Sequence, residues 1–140
     1  MKAREKGFTL IELLTVVVIM AVLLMLALPR MQNYMTLMRL NGAAREVLTD
    51  LTAARMKAVN LNQTITVTFY NSHQYKQVDS KGTTLQDRDI LNDYRDVTLS
   101  STGDPQFHAR GTAVGTTVTV TNPAGSKSVT VASTGRVKIN

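Results

Sequence analysis

The sequence predicts an α+β protein: a long N-terminal helix followed by an antiparallel β-sheet head. Three observations carry this expectation. An apolar run extends from Phe8 to Leu28, broken by one acid, Glu12. Apolar residues then recur at three- and four-residue steps from Tyr34 to Ala58, the period of a helix with one buried face. From Ile65 onward the period changes to two, with turn residues between short β-branched runs.

The chain opens with Met1 to Gly7, in which Lys2, Arg4 and Lys6 outweigh Glu5. The run from Phe8 to Leu28, about 20 residues, is long enough to span a bilayer as one helix, and it ends at Pro29. The basic leader keeps its own end cytoplasmic. An ordinary signal peptide has a shorter apolar core with the small cleavage-site residue after it. Here the small residue, Gly7, comes first. A carboxylate inside a span costs about 2.5–3.5 kcal/mol on insertion scales, so Glu12 is a functional candidate.

After Pro29 the expected helical stripe is Tyr34, Leu37, Met38, Asn41, Ala44, Val47, Leu48, Leu51, Ala54 and Ala58. It is expected to be core against the head's own sheet. Arg39, Arg45, Glu46, Asp50 and Lys57 fall mostly elsewhere on the wheel. Gly42 costs about 1 kcal/mol relative to Ala inside such a helix, and Asn60-Leu61-Asn62 supplies the stop. The division is therefore a basic segment at 1–7, a transmembrane helix at 8–29 and a head at 30–140. The head comprises an amphipathic helix over 30–62 and a sheet over 63–140.

Within the head, Ile65, Val67 and Phe69 alternate with threonines as a half-buried strand. Asn71-Ser72-His73 turns the chain into a return strand, Gln74 to Val78. The polar stretch Thr83 to Asp96 reads as loop with one short element around Ile90. Further strands are expected from Val97, over Gln106 to Arg110, and over Thr116 to Thr121. Two more follow, Ser128 to Ala132 after the Asn122-Pro123-Ala124-Gly125 turn, and Arg136 to Ile139.

The junction Gly7-Phe8-Thr9-Leu10-Ile11-Glu12 resembles the leader of type IV pilins and type II secretion pseudopilins. The resemblance implies cleavage after Gly7 by a prepilin peptidase and N-methylation of Phe8. It implies that Glu12 pairs with the terminal amine of a neighbouring subunit during assembly. It also implies a single-pass inner-membrane precursor with a periplasmic head that enters a pilus or pseudopilus with other pilins. Leu51, Ala54, Arg55 and Ala58 form an L-x-x-A-R-x-x-A pattern. That pattern, Phe107 through Gly111, and Gly135-Arg136-Val137 are similar to landmarks of the GspH/FimT family of minor pilins and pseudopilins. Gly135-Arg136-Val137-Lys138 resembles the G-R-x-R motif through which some minor pilins bind DNA, with Lys in place of the last Arg. Arg136 and Lys138 are therefore candidate DNA-binding residues. The function implied is a minor pilin at or near the tip of a type IV pilus. The alternatives are a type II secretion pseudopilin and a DNA-binding minor pilin for uptake.

Composition narrows the chemistry. There is no cysteine among the 140 residues, which removes disulfides and thiol chemistry. Net charge is +6, too modest to imply nucleic acid by itself. His73 and His108 are far apart in sequence, and Asp87, Asp89, Asp93 and Asp96 lack calcium-loop spacing. They read as polar surface and a solvated loop. No catalytic set, metal site or cofactor is expected, and the protein is not expected to be an enzyme.

Overall fold

The structure, a computed structural model, describes residues 7–140, without the side chains at 26–30. One helix, α1, runs Leu10–Asn60. The chain divides into two compact units, one ending at Met35 and the other Thr36–Asn140.

In the first unit the large apolar side chains from Phe8 to Met25 are exposed, from 47% at Val16 to 81% at Leu10. Among the described residues no helix is long and apolar enough to cross a membrane. The expected span also takes in Leu26, Ala27 and Leu28, whose side chains lie outside the described residues, as does the leader before Gly7.

The second unit begins with the rest of α1. The helix closes on Asn62, the sole non-glycine with positive φ (50°) among the described residues. The Asn62 N–H bonds to the Val59 carbonyl at 3.2 Å and the Gln63 N–H to the Ala58 carbonyl at 3.1 Å. This is a Schellman cap, in which asparagine tolerates the left-handed conformation that ends a helix.

Eight strands follow: β1 Ile65–Phe69, β2 Gln74–Val78, β3 Thr84–Asp89, β4 Thr98–Ser101, β5 Gln106–Phe107, β6 Thr116–Asn122, β7 Gly125–Val131 and β8 Val137–Ile139. They form two four-stranded sheets, β3-β2-β1-β5 and β4-β6-β7-β8, rather than one. Every named ladder is antiparallel.

Two expectations need correction. The loop expected over Thr83 to Asp96 contains β3, which pairs Gln74↔Asp89 through Gln77↔Gln86 before the register shifts at Gln77/Val78. The strand expected over Gln106 to Arg110 stops at Phe107, because the chain turns where Gly111 N–H bonds to the His108 carbonyl at 2.8 Å.

The core combines one face of α1 with both sheets. Leu40, Ala43, Ala44, Val47, Leu51, Ala54 and Ala58 pack with Ile65, Val67, Tyr75, Phe107, Val118, Val120, Val129 and Val131. The small residues on α1 allow close approach of the strands. Tyr34, Leu37 and Met38 are exposed (61%, 43% and 54%), so the buried stripe starts at Leu40. The reason is where the cover begins: Asn122, at the tip of the β6–β7 hairpin, donates from Nδ2 to the Thr36 carbonyl at 2.8 Å.

Candidate functional site

The N-terminal site is built by a helix start. Gly7, Phe8 and Thr9 precede α1 in non-helical backbone. Thr9 Oγ1 accepts from the Glu12 N–H at 3.3 Å, and the Thr9 carbonyl accepts from the Leu13 N–H at 3.2 Å. Thr9 is therefore the N-cap and Glu12 the third helical residue, the T-x-x-E arrangement of a capping box. The signal stands in the sequence as Thr9-Leu10-Ile11-Glu12. An acid at this position is also favoured by the positive end of the helix, by less than about 1 kcal/mol. Glu12 and Phe8 are exposed, and among the described residues no side chain pairs with the Glu12 carboxylate.

In the head, three distant sequence landmarks meet. Arg55 Nε donates to the Gly111 carbonyl at 2.9 Å. Gly111 and Gly135 both have positive φ, 82° and 80°. A Cβ at Gly135 would overlap the Gly111 carbonyl oxygen and lie 2.8 Å from Arg55 Nε. Only glycine fits there. Arg55 thus ties α1 to the His108–Gly111 turn, and the turn to the β7–β8 connection.

That connection presents the candidate basic pair. Arg136 and Lys138 are exposed, and Lys138 pairs with Thr130 across β7–β8. Thr130, Ala132, Arg136, Lys138 and Asn140 line a shallow recess of about 220 Å³. Asn140 Nδ2 donates to Thr130 Oγ1 at 3.1 Å. The two cations share one face of the edge strand, as alternate positions must, and no aromatic ring stands among the lining residues.

The opposite flank of α1 carries an ionic clamp that helical periodicity did not reveal. Asp50, expected on the polar side, is 6% exposed. It accepts from Tyr75 Oη at 2.7 Å and from Arg88 Nε at 3.1 Å, while its carbonyl accepts from Gln77 Nε2 at 3.0 Å. Arg88 also pairs with Glu46 at 3.2 Å. Lys57 Nζ donates to Gln77 at 2.7 Å and Gln86 at 3.0 Å. Burial and the hydrogen bond to Asp50 push the Tyr75 phenol well above its ordinary range. The hydrogen bond to Asp50 holds the Arg88 guanidinium further toward its charged form.

The expected solvated loop is corrected here too. Asp87 and Asp89 belong to β3, and Asp96 pairs with Arg39 at 3.0 Å. The Leu91 N–H and Gln74 lower the Asp89 pKa. Tyr94 lies against the α1 backbone at Gly42, where a Cβ would come within 2.8 Å of its ring. His73 and His108 are half-buried and separate, the first beside Ser72 (3.0 Å) and the second beside Thr64 (3.5 Å).

Comparison with known proteins places this geometry. A family described as "Type II transport protein GspH" matches residues 43–135. The prokaryotic N-terminal methylation motif matches residues 2–28. The type IV minor pilin FimU of Pseudomonas aeruginosa (strain PAO1) is similar in fold in two crystal forms. One has a TM-score of 0.59 at 19% identity, covering 72% of this chain and 92% of that one. The other has a TM-score of 0.60 at 20% identity, covering 72% and 87%. The minor pseudopilin EpsH of the Vibrio cholerae type 2 secretion system has a TM-score of 0.62 at 13% identity, covering 73% and 96%. At these identities the likeness establishes the fold alone. A comparison with curated proteins finds no match. With its methylation motif and with the family's match over most of the head, the chain belongs to the GspH family and is a minor pilin or pseudopilin.

Proposed function

We propose that this protein is a filament subunit whose work is assembly rather than catalysis, placed at or near the tip of a type IV pilus. Prepilin peptidase cleaves after Gly7, and Phe8 becomes the N-methylated terminus. The helix over 8–29 holds the precursor in the inner membrane, with the head over 30–140 in the periplasm. The new amine on Phe8 and the Glu12 carboxylate of a neighbouring subunit then neutralise one another in an apolar setting, where either charge alone is costly. The observation that carries this reading is the exposed Glu12, without a side-chain partner among the described residues, in the first turn of an exposed apolar helix that Thr9 caps and that follows a non-helical Gly7–Phe8 junction. Intact-mass analysis of the protein from its native membrane tests it. The expected chain begins at N-methylated Phe8, and a chain retaining Met1 refutes the reading.

Assembly in a type II secretion pseudopilus is a second reading, favoured by the description of the matching family. The DNA-binding reading rests on exposed Arg136 and Lys138 beside Thr130 and Asn140. So few cations predict weak, salt-sensitive binding, with a log–log slope of about −0.9 per phosphate contact. Fluorescence anisotropy on the head and on an Arg136→Ala/Lys138→Ala variant separates the cases, since equal binding by both removes this role.

A further inference from the structure

We propose that the open edge of β8 receives an extended strand from a different protein, one in which acidic and apolar residues alternate. The inference concerns the head alone and holds in either filament. β8 ends its sheet, in the order β4-β6-β7-β8. Its bonds to β7 show which main-chain groups are already used. The Asn140 N–H donates to the Ser128 carbonyl at 2.8 Å, and the Ala132 N–H to the Arg136 carbonyl at 2.9 Å. Thr130 and Lys138 stand opposite one another between these bonds. Alternate residues of an antiparallel strand turn their main chain to opposite edges. Arg136, Lys138 and Asn140 thus turn theirs toward β7, and Val137 and Ile139 turn theirs away. Among the described residues no strand or turn engages the main chain of Val137 or Ile139 on that open side. Such a row of unused groups is a template for one more strand.

The side chains state what the added strand must carry. Arg136 and Lys138 are exposed on the outer face, beside the recess they share with Thr130, Ala132 and Asn140. Neither forms an ion pair among the described residues. From Val97 to Asn140 there are four bases, Arg110, Lys127, Arg136 and Lys138, against one acid, Asp104, so the surrounding field also favours a carboxylate. On the other face Val137 and Ile139 are half-buried and pack against the core. In a strand laid on this edge, the residues opposite Arg136 and Lys138 occupy non-hydrogen-bonded positions, where cross-strand side chains come closest. Two carboxylates, two residues apart, suit those positions. The residues opposite Val137 and Ile139 point inward and extend the apolar layer.

A second copy of this chain does not supply that strand. β8 laid against β8 brings cations together across the junction, which is unfavourable. Only Asp87 and Asp89 among the acids of the chain are two residues apart. They already lie in β3, paired with β2, and the residue between them is Arg88. The cationic edge therefore rejects its own kind and admits an acidic strand. Duplex DNA would use the two cations and leave the Val137 and Ile139 main chain idle, and no aromatic ring in the recess offers a base a stacking partner.

Fluorescence anisotropy tests the inference, with the full-length chain in non-ionic detergent and a labelled peptide of repeating Glu-Val. The peptide should bind, and a Lys-Val repeat should not. Arg136→Ala with Lys138→Ala should weaken binding about two- to thirtyfold, the range for two exposed charge pairs. Methylating the peptide's valine nitrogens, which face β8 in the added strand, should abolish binding. Methylating its glutamate nitrogens, which face solvent, should spare it. Failure of the Glu-Val peptide to bind overturns the inference. Equal effects of the two methylations also overturn it, since they reduce the contact to charge alone. If duplex DNA binds through Arg136 and Lys138 while the peptide does not, the pair serves nucleic acid and the strand-addition site is refuted.

Discussion

Replacing Gly135 by alanine tests the contact that joins the helix to both turns. Two costs combine. Alanine at φ 80° loses about 1–2 kcal/mol to left-handed backbone strain. Its Cβ also overlaps the Gly111 carbonyl oxygen and approaches Arg55 Nε at 2.8 Å, so the backbone must part and the 2.9 Å Arg55–Gly111 bond is lost. A hydrogen bond to a charged group contributes about 1.5–3 kcal/mol, which brings the total to roughly 3–5 kcal/mol. In a head fragment beginning at Arg30 this lowers Tm by about 12–40 °C, at 4–8 °C per kcal/mol for a domain of this size. Gly82→Ala is the matched control, because Gly82 has φ 85° and nothing within 4 Å of its added Cβ. That variant should show the strain alone, a fall of about 4–16 °C. Thermal unfolding by circular dichroism reads both. Equal losses in the two variants would show that the Gly111–Gly135 approach contributes nothing beyond backbone conformation.

Three further outcomes are expected. Glu12→Val should leave membrane insertion intact and reduce incorporation into filaments, as fractionation of membranes and sheared filaments would show; normal incorporation removes the assembly role of Glu12. Tyr75 stays protonated in the folded head while an unfolded tyrosine ionises near pH 10. Stability should therefore be fully present below pH 10 and fall by about 1.4 kcal/mol per unit above it, and urea midpoints for Tyr75→Phe should lack this component. Gly42→Ala should forgo the usual helix gain of about 1 kcal/mol because its Cβ meets Tyr94, whereas in a Tyr94→Ala background the same change should stabilise, a comparison that denaturant titrations of the four variants provide.

Much of the architecture was legible because its causes are local. The helix declares itself in an apolar run and then an apolar stripe, and the β6–β7 hairpin in threonine–valine alternation around Asn122-Pro123-Ala124-Gly125. β3 escaped because its inward residues are polar. Gln86 reaches Lys57 and Arg88 reaches Asp50, so the face it buries meets the polar flank of α1 and leaves no apolar alternation. Asp50 was misplaced for the same reason, since its burial depends on strands far along the chain. The landmarks Arg55, Gly111 and Gly135 were visible as motifs. Their mutual contact was not, because no spacing rule relates a helix residue to two turns that follow the first sheet. Tyr34, Leu37 and Met38 continue the helical period faithfully, yet periodicity cannot say where a covering hairpin ends.

Under the cleavage proposed after Gly7, the threonine cap at the start of α1 also bears on how a peptidase would meet the chain. Proteolytic clefts grip extended backbone, and a bond locked inside a helix must first unwind. By ending the helix at Leu10, Thr9 leaves the Gly7–Phe8 amide outside the hydrogen-bonded ladder. Because Thr9 lies on the side of that amide that would be retained, the proposed removal of residues 1–7 would leave the capping threonine in place. On the proposed processing, the scissile segment and the helix start are adjacent yet independent, so a subunit cleaved there would keep its first turn.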